Sequence, residues 1–454
     1  MTVSVSFPQP KRASSCAAAA QAWLDLPATG EARVQALRAL YATLPDYSKV
    51  EINLQTFHGT AKAVVSEDGS GYDDHAEYLL RTFDRIGHAL KPRLLVGTPR
   101  FDLDEGEKHA LAAWIRAHFD AIDGGNWVLP DRFLATRALS VTPRAFARTP
   151  NRVFKHLFGD GAAFADMPYE RAQLAKSPAG LLRRLDQGTC EGCHATRSVA
   201  GFHMLGETRA PEARFDAVAM PRSAHLDIEL EWRAAMTAAV ARGERFDAPR
   251  PFAERRRAGP ARAGGHCAVN ADPSFAGWTC MQGLVCHPSG NDDMGTCATL
   301  TPRGVGIGDP CQDVTLGPEE SASAGALVHP EPITPCAFGD QQGVCDPNLL
   351  GFPGGLCVAS CAGFGTATPD GELICGKLPA SGYENECLTT ADEPIEKCIV
   401  RHLNNQILRT CGEGHPCRDD YACARTIGLP PKTGVCVPTY AVYGLRVDGP
   451  ILDR

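Results

Sequence analysis

Apolar and polar residues repeat with two different periods along the first part of the chain. Glu31 to Leu44 (EARVQALRALYATL) places its apolar residues at helical spacing. Val50 to Phe57 (VEINLQTF) alternates, as a half-buried strand does. Asp74 to Ala89 (DHAEYLLRTFDRIGHA) reads as an amphipathic helix, and Arg93 to Val96 as a short apolar strand. Asp104 and the acids after it open a further helix that runs to Ile122, and Asp123-Gly124-Gly125 closes it. Phe133 to Val141 is apolar and fits either period. Pro168 to Leu185 and Asp227 to Arg242 are helical, while residues 1 to about 30 show no period.

A Pro/Arg-rich stretch from Phe246 to Gly265 reads as a linker. Beyond it a cysteine pattern recurs: Cys280-x5-Cys286-x10-Cys297, Cys336-x8-Cys345-x11-Cys357 and Cys417-x5-Cys423-x12-Cys436. The three runs end in Gly-Thr-Cys, Gly-Leu-Cys and Gly-Val-Cys, and each has a cysteine upstream, at Cys267, Cys311 and Cys411. This predicts about three small modules held by bridges rather than by a core, with a connectivity that spacing alone does not give. The expected fold is a mainly α haem-bearing N-terminal region with some β, followed by a disulfide-rich C-terminal region with little regular structure. Its divisions are a helix-rich region at 1–160, a haem segment at 161–245, the linker at 246–265 and the cysteine-rich modules at 266–454.

The cysteines change the picture more than the composition does. Of 19, sixteen lie between Cys267 and Cys436, and the others are Cys16, Cys190 and Cys193. Such density implies an oxidising compartment: periplasm, cell surface or medium. The opening MTVSVSFPQPKRASSC lacks the apolar core of a signal peptide. From Gly264 onward there are 22 acids against 10 bases, so the tail is acidic and suits contact with a cell surface or matrix. No basic stripe marks a nucleic-acid binder, and no apolar run has the length of a membrane span.

The segment Cys190-Glu191-Gly192-Cys193-His194 carries the chemistry. Two thiols so spaced add to the two vinyl groups of a porphyrin, and the following imidazole reaches the iron. Composition alone gives about 0.02 such matches by chance. The rivals are a structural disulfide, a redox dithiol or half a zinc site. The dithiol wants a preceding strand, and the zinc site a second ligand pair, and the local sequence offers neither. On this motif, Asp166 to Arg242 resembles the class I c-type cytochromes. The resemblance implies haem c, thioethers at Cys190 and Cys193, and His194 as proximal ligand. LATRALSVTPR (Leu134 to Arg144) and CHATRSVAGFHMLGE (Cys193 to Glu207) are also similar to a group of secreted haem-motif proteins, which implies location and haem but no reaction.

The sixth iron ligand stays open between Met220, His225, Met204, His203 and an empty position. Methionine would raise the potential and histidine would lower it. Arg197, Arg209 and Arg222 are candidate propionate partners. The expected function is single-electron transfer to a redox partner protein or a small acceptor. The alternatives are a peroxidase-type haem enzyme, using His203 or His225 beside an arginine, and a secreted adhesive protein. No hydrolase, zincin, nucleotide-loop or dinucleotide motif is present.

Overall fold

The computed structural model describes residues 2–7, 14–27, 30–42, 46–58, 75–100, 102–143, 152–190, 224–255, 259–288 and 293–301, and short pieces between 304 and 438. The first sheet contains β1 (Thr2–Ser6), β2 (Lys49–His58), β3 (His75–Ile86), β4 (Ala89–Arg93) and β5 (Ala138–Pro143), all antiparallel. β3 is its spine. One flank pairs with β2, and the other is divided between β5, opposite His75 to Leu80, and β4, opposite Thr82 to Ile86.

Among the described residues the helices are α1 (Cys16–Leu24), α2 (Gly30–Tyr41), α3 (Glu105–Ala117), α4 (Phe119–Gly124), α5 (Val153–Phe158), α6 (Pro178–Gln187) and α7 (Ala224–Ala241). The chain is therefore mixed α/β, and the expectation of a mainly α front is corrected. The decisive segment is Asp74 to Ala89, which forms β3 and turns into β4 rather than making a helix. Ile86 faces Ala89 across a two-residue turn in which Gly87 takes φ 63°, the left-handed geometry that tight hairpins need. The segment's apolar residues satisfy both periods. The strand gains partners on both flanks from distant parts of the chain, and that tertiary gain overrides local helical patterning.

Two other segments differ in detail. Residues 1 to 30 hold β1 and α1, and the Ser15 hydroxyl caps α1 by accepting the Ala18 N–H at 3.1 Å. The helix expected over Pro168 to Leu185 begins only at Pro178. Before it, the buried Asp123 carboxylate accepts the N–H groups of Gln173, Leu174 and Ala175 at 2.7–2.9 Å and holds that stretch irregular. Ser177 then caps α6, with Pro178 at its first position.

α3 starts on a full capping box, in which Asp104 accepts from the Glu107 N–H and Glu107 accepts from the Asp104 N–H. With α4, α5 and α6 it closes around Leu111, Ile115, Ile122, Phe154, Phe164, Leu181 and Leu182, all at most 1% exposed. The Pro/Arg-rich stretch is packed: the Arg250 N–H donates to the Gly124 carbonyl at 3.0 Å, and Phe252 lies buried against Phe275 and Trp278.

The first cysteine module is a three-stranded sheet of β6 (His266–Ala268), β7 (Val285–Pro288) and β8 (Met294–Ala298), with β8 in the middle. Disulfides join Cys267 to Cys286 and Cys280 to Cys297. The module sits on α6. The Ser274 hydroxyl meets the Ser177 hydroxyl at 2.9 Å and accepts the Lys176 N–H at 2.9 Å. Asp293 pairs with Lys155 at 3.2 Å.

Candidate functional site

α6 delivers the chain to Cys190, and its burial is unusual for so charged a helix. Leu181, Leu182, Arg183, Arg184, Leu185 and Asp186 are all buried. Charges at such depth persist only when paired and hydrogen-bonded. Asp186 accepts from Arg152 Nε at 2.6 Å and from the Phe154 N–H at 2.6 Å. Arg183 pairs with Glu254 at 3.3 Å. Arg184 donates to the carbonyls of Ile122, Asp123, Arg250 and Pro251. Burial pushes the Arg184 guanidinium down to about 10. Burial likewise pushes the Asp186 carboxyl up, against the pull of Arg152 and the Phe154 N–H.

The end of α6 is fastened at three points. The Thr189 hydroxyl donates to the Asp186 carbonyl at 2.7 Å. The Cys190 N–H donates to the Thr98 hydroxyl at 2.9 Å. Gly188 passes so close to the Trp127 ring that a Cβ there would overlap it, and a Cβ at Gly97 would overlap the Gly188 carbonyl. Gly97 also takes φ 84°, which favours glycine. Thr98 is fully buried, whereas Val96 and Val128 on either side of this crossing are exposed. Cys190 itself is half-buried, at the rim of the packed region.

Of the residues expected to hold the haem, Cys190 is the one whose surroundings are described. Cys193, His194, His203, Met204 and Met220 lie outside the described residues, as do Arg197, Arg209 and Arg222. His225 belongs to α7, and its backbone alone is described. Sequence reasoning missed Thr98, Trp127 and Gly97. A hydrogen bond spanning 92 positions leaves no local signal; the one available hint is a glycine just before a threonine in an apolar run.

A second cluster holds the sulfurs of Cys267, Cys280 and Cys297 within 4.8 Å of one another. A metal would need them as thiolates, and all three are tied into the two disulfides. No helix among the described residues is long and apolar enough to cross a membrane. The chain matches no known protein-family model, no curated protein and no solved structure.

Proposed function

We propose that the protein is an exported monohaem c-type carrier that passes single electrons, with its acidic cysteine-rich tail serving as a binding or tethering module. The observation that carries this reading is the isolated sequence Cys190-Glu191-Gly192-Cys193-His194, which follows a buried helix in the chain. A haem held there supplies a one-electron iron couple whose potential follows its axial ligands. Cys190 fits a thioether position: it is half-buried at a helix end, with its backbone fixed by Thr98. Cys193 would be the second thioether and His194 the proximal ligand. Met220, Met204, His203 and His225 compete for the opposite face.

The packing of α6 suits this task. An attachment point that moves little keeps the donor–acceptor geometry constant between encounters. The tail, with 22 acids against 10 bases from Gly264 onward, suits a partner or surface that is basic. The partner is either a redox protein or a small electron acceptor.

The test is expression behind an export leader in a host that matures c-type haem, followed by a pyridine haemochrome and oxidised and reduced spectra. Covalent haem with low-spin bands, abolished by Cys190→Ala with Cys193→Ala, is expected. A high-spin spectrum that shifts with peroxide would replace electron transfer by peroxidase chemistry. No covalent haem would overturn the reading and leave a disulfide-rich secreted binding protein.

A further inference from the structure

We infer that the tail repeats one two-disulfide unit, so that its second and third modules are bridged Cys311–Cys345, Cys336–Cys357, Cys411–Cys423 and Cys417–Cys436. In the first module the order along the chain is Cys267, Cys280, Cys286, Cys297, bonded first to third and second to fourth. Cys286 and Cys297 face each other directly across β7 and β8, yet each bonds to an upstream cysteine.

The backbone of the third module reproduces this arrangement. Thr410–Cys411 pairs with Gly434–Pro438, which pairs in turn with Tyr421–Ala424, so the last strand again lies in the middle. Cys423 faces Cys436 as Cys286 faces Cys297. Cys411 faces Gly434 as Cys267 faces Gly295.

The second module reproduces the other half. Cys345 faces Cys357 in an antiparallel pair. Val305 makes a parallel bridge to Cys336, as Ala261 does to Cys280. The supporting hydrogen bonds correspond, Val305 N–H to the Pro335 carbonyl at 2.9 Å and Ala261 N–H to the Thr279 carbonyl at 2.7 Å. Val305 precedes Cys311 by six residues, and Ala261 precedes Cys267 by six. Cys311, Cys336 and Cys411 are each disulfide-bonded.

A glycine leaves room for the first-to-third bridge. The first-to-third bridge must pass over the middle strand to join its two neighbours. It passes over Gly295, where a Cβ would collide with the His287 carbonyl oxygen and sit 2.8 Å from the Cys286 sulfur. Gly295 precedes Cys297 by two residues, and Gly355 and Gly434 hold that place before Cys357 and Cys436. The recurring Gly-x-Cys thus keeps the room that the neighbouring strand and the bridge both need. Each bond forms when two thiols lose two electrons and two protons to a disulfide-bearing oxidant, which leaves as a dithiol.

The inference does not depend on the haem reading. It is tested on the full-length oxidised protein, alkylated and digested at low pH without reduction, with linked peptides read by mass spectrometry. Cleavage at Glu331, Asp340, Asp346, Glu413, Arg418 and Arg425 puts the four cysteines of each of the two modules on separate peptides. The four named links are expected beside Cys267–Cys286 and Cys280–Cys297. Finding Cys345–Cys357 or Cys423–Cys436, free thiols at these positions, or a mixture of pairings would overturn the inference.

Discussion

Replacing Asp186 with alanine should unfasten the helix that leads into Cys190. The carboxylate is 1% exposed and accepts from both Arg152 and the Phe154 N–H, each at 2.6 Å. Arg152 is itself 4% exposed, so truncation leaves a buried charge facing the more distant Asp293 carboxylate at 3.9 Å. Breaking a buried pair by removing one partner costs about 3–5 kcal/mol. The orphaned Phe154 donor would add about 1–3 kcal/mol if the site could not relax. Because the two losses share one site they do not add, and about 4 kcal/mol is expected. Asp186→Asn keeps an acceptor for Phe154 while losing the charge, so about half that loss is expected. Urea unfolding followed by tryptophan fluorescence reads the change, since Trp114 and Trp127 pack against this core. Covalent haem yield should fall in the same order, alanine below asparagine below wild type. A loss under about 1 kcal/mol for Asp186→Ala would refute the view that this pair secures α6.

Two further outcomes are expected. Thr98→Val removes the acceptor of the Cys190 N–H; a stability loss of about 1 kcal/mol with a lower haem yield should follow, and unchanged yield would show that this hydrogen bond does not position the cysteine. Burial holds His287 below its ordinary 6.5, with Asp309 opposing. The unfolded chain therefore binds more protons just below 6.5, and stability is lost as the pH is lowered through that range, by at most about 1.4 kcal/mol per pH unit. Melting at pH 7.5 and 5.5 should show a larger drop in wild type than in His287→Gln, and equal drops would contradict the assignment.

What could be read from the sequence was what neighbouring residues decide. Asp104 and Glu107 form a helix start within one turn, and the structure builds it there. Ser177-Pro178 is as local a signal, yet the apolar spacing before it suggested an earlier start that Asp123 prevents. β3 could not be distinguished from a helix, because its identity depends on β2 and β5, which are remote in sequence. The fastening of Cys190 to Thr98 was equally out of reach. In the tail, spacing revealed the repetition but not the pairing, which rests on strand order and on the room above Gly295.

The seat of the first module on α6 has a mechanical consequence. Ser274 grips the start of the helix and Asp293 grips Lys155 on α5, while two disulfides make the module itself nearly inextensible. Asp309 and Arg418, bonded at 3.1 Å and 2% exposed or less, clamp the next cysteine segments to each other. A pull that reaches this first module is therefore passed directly to α6. Cys190 is thus held at a set distance and orientation from the first cysteine module, as on a bracket rather than on a leash.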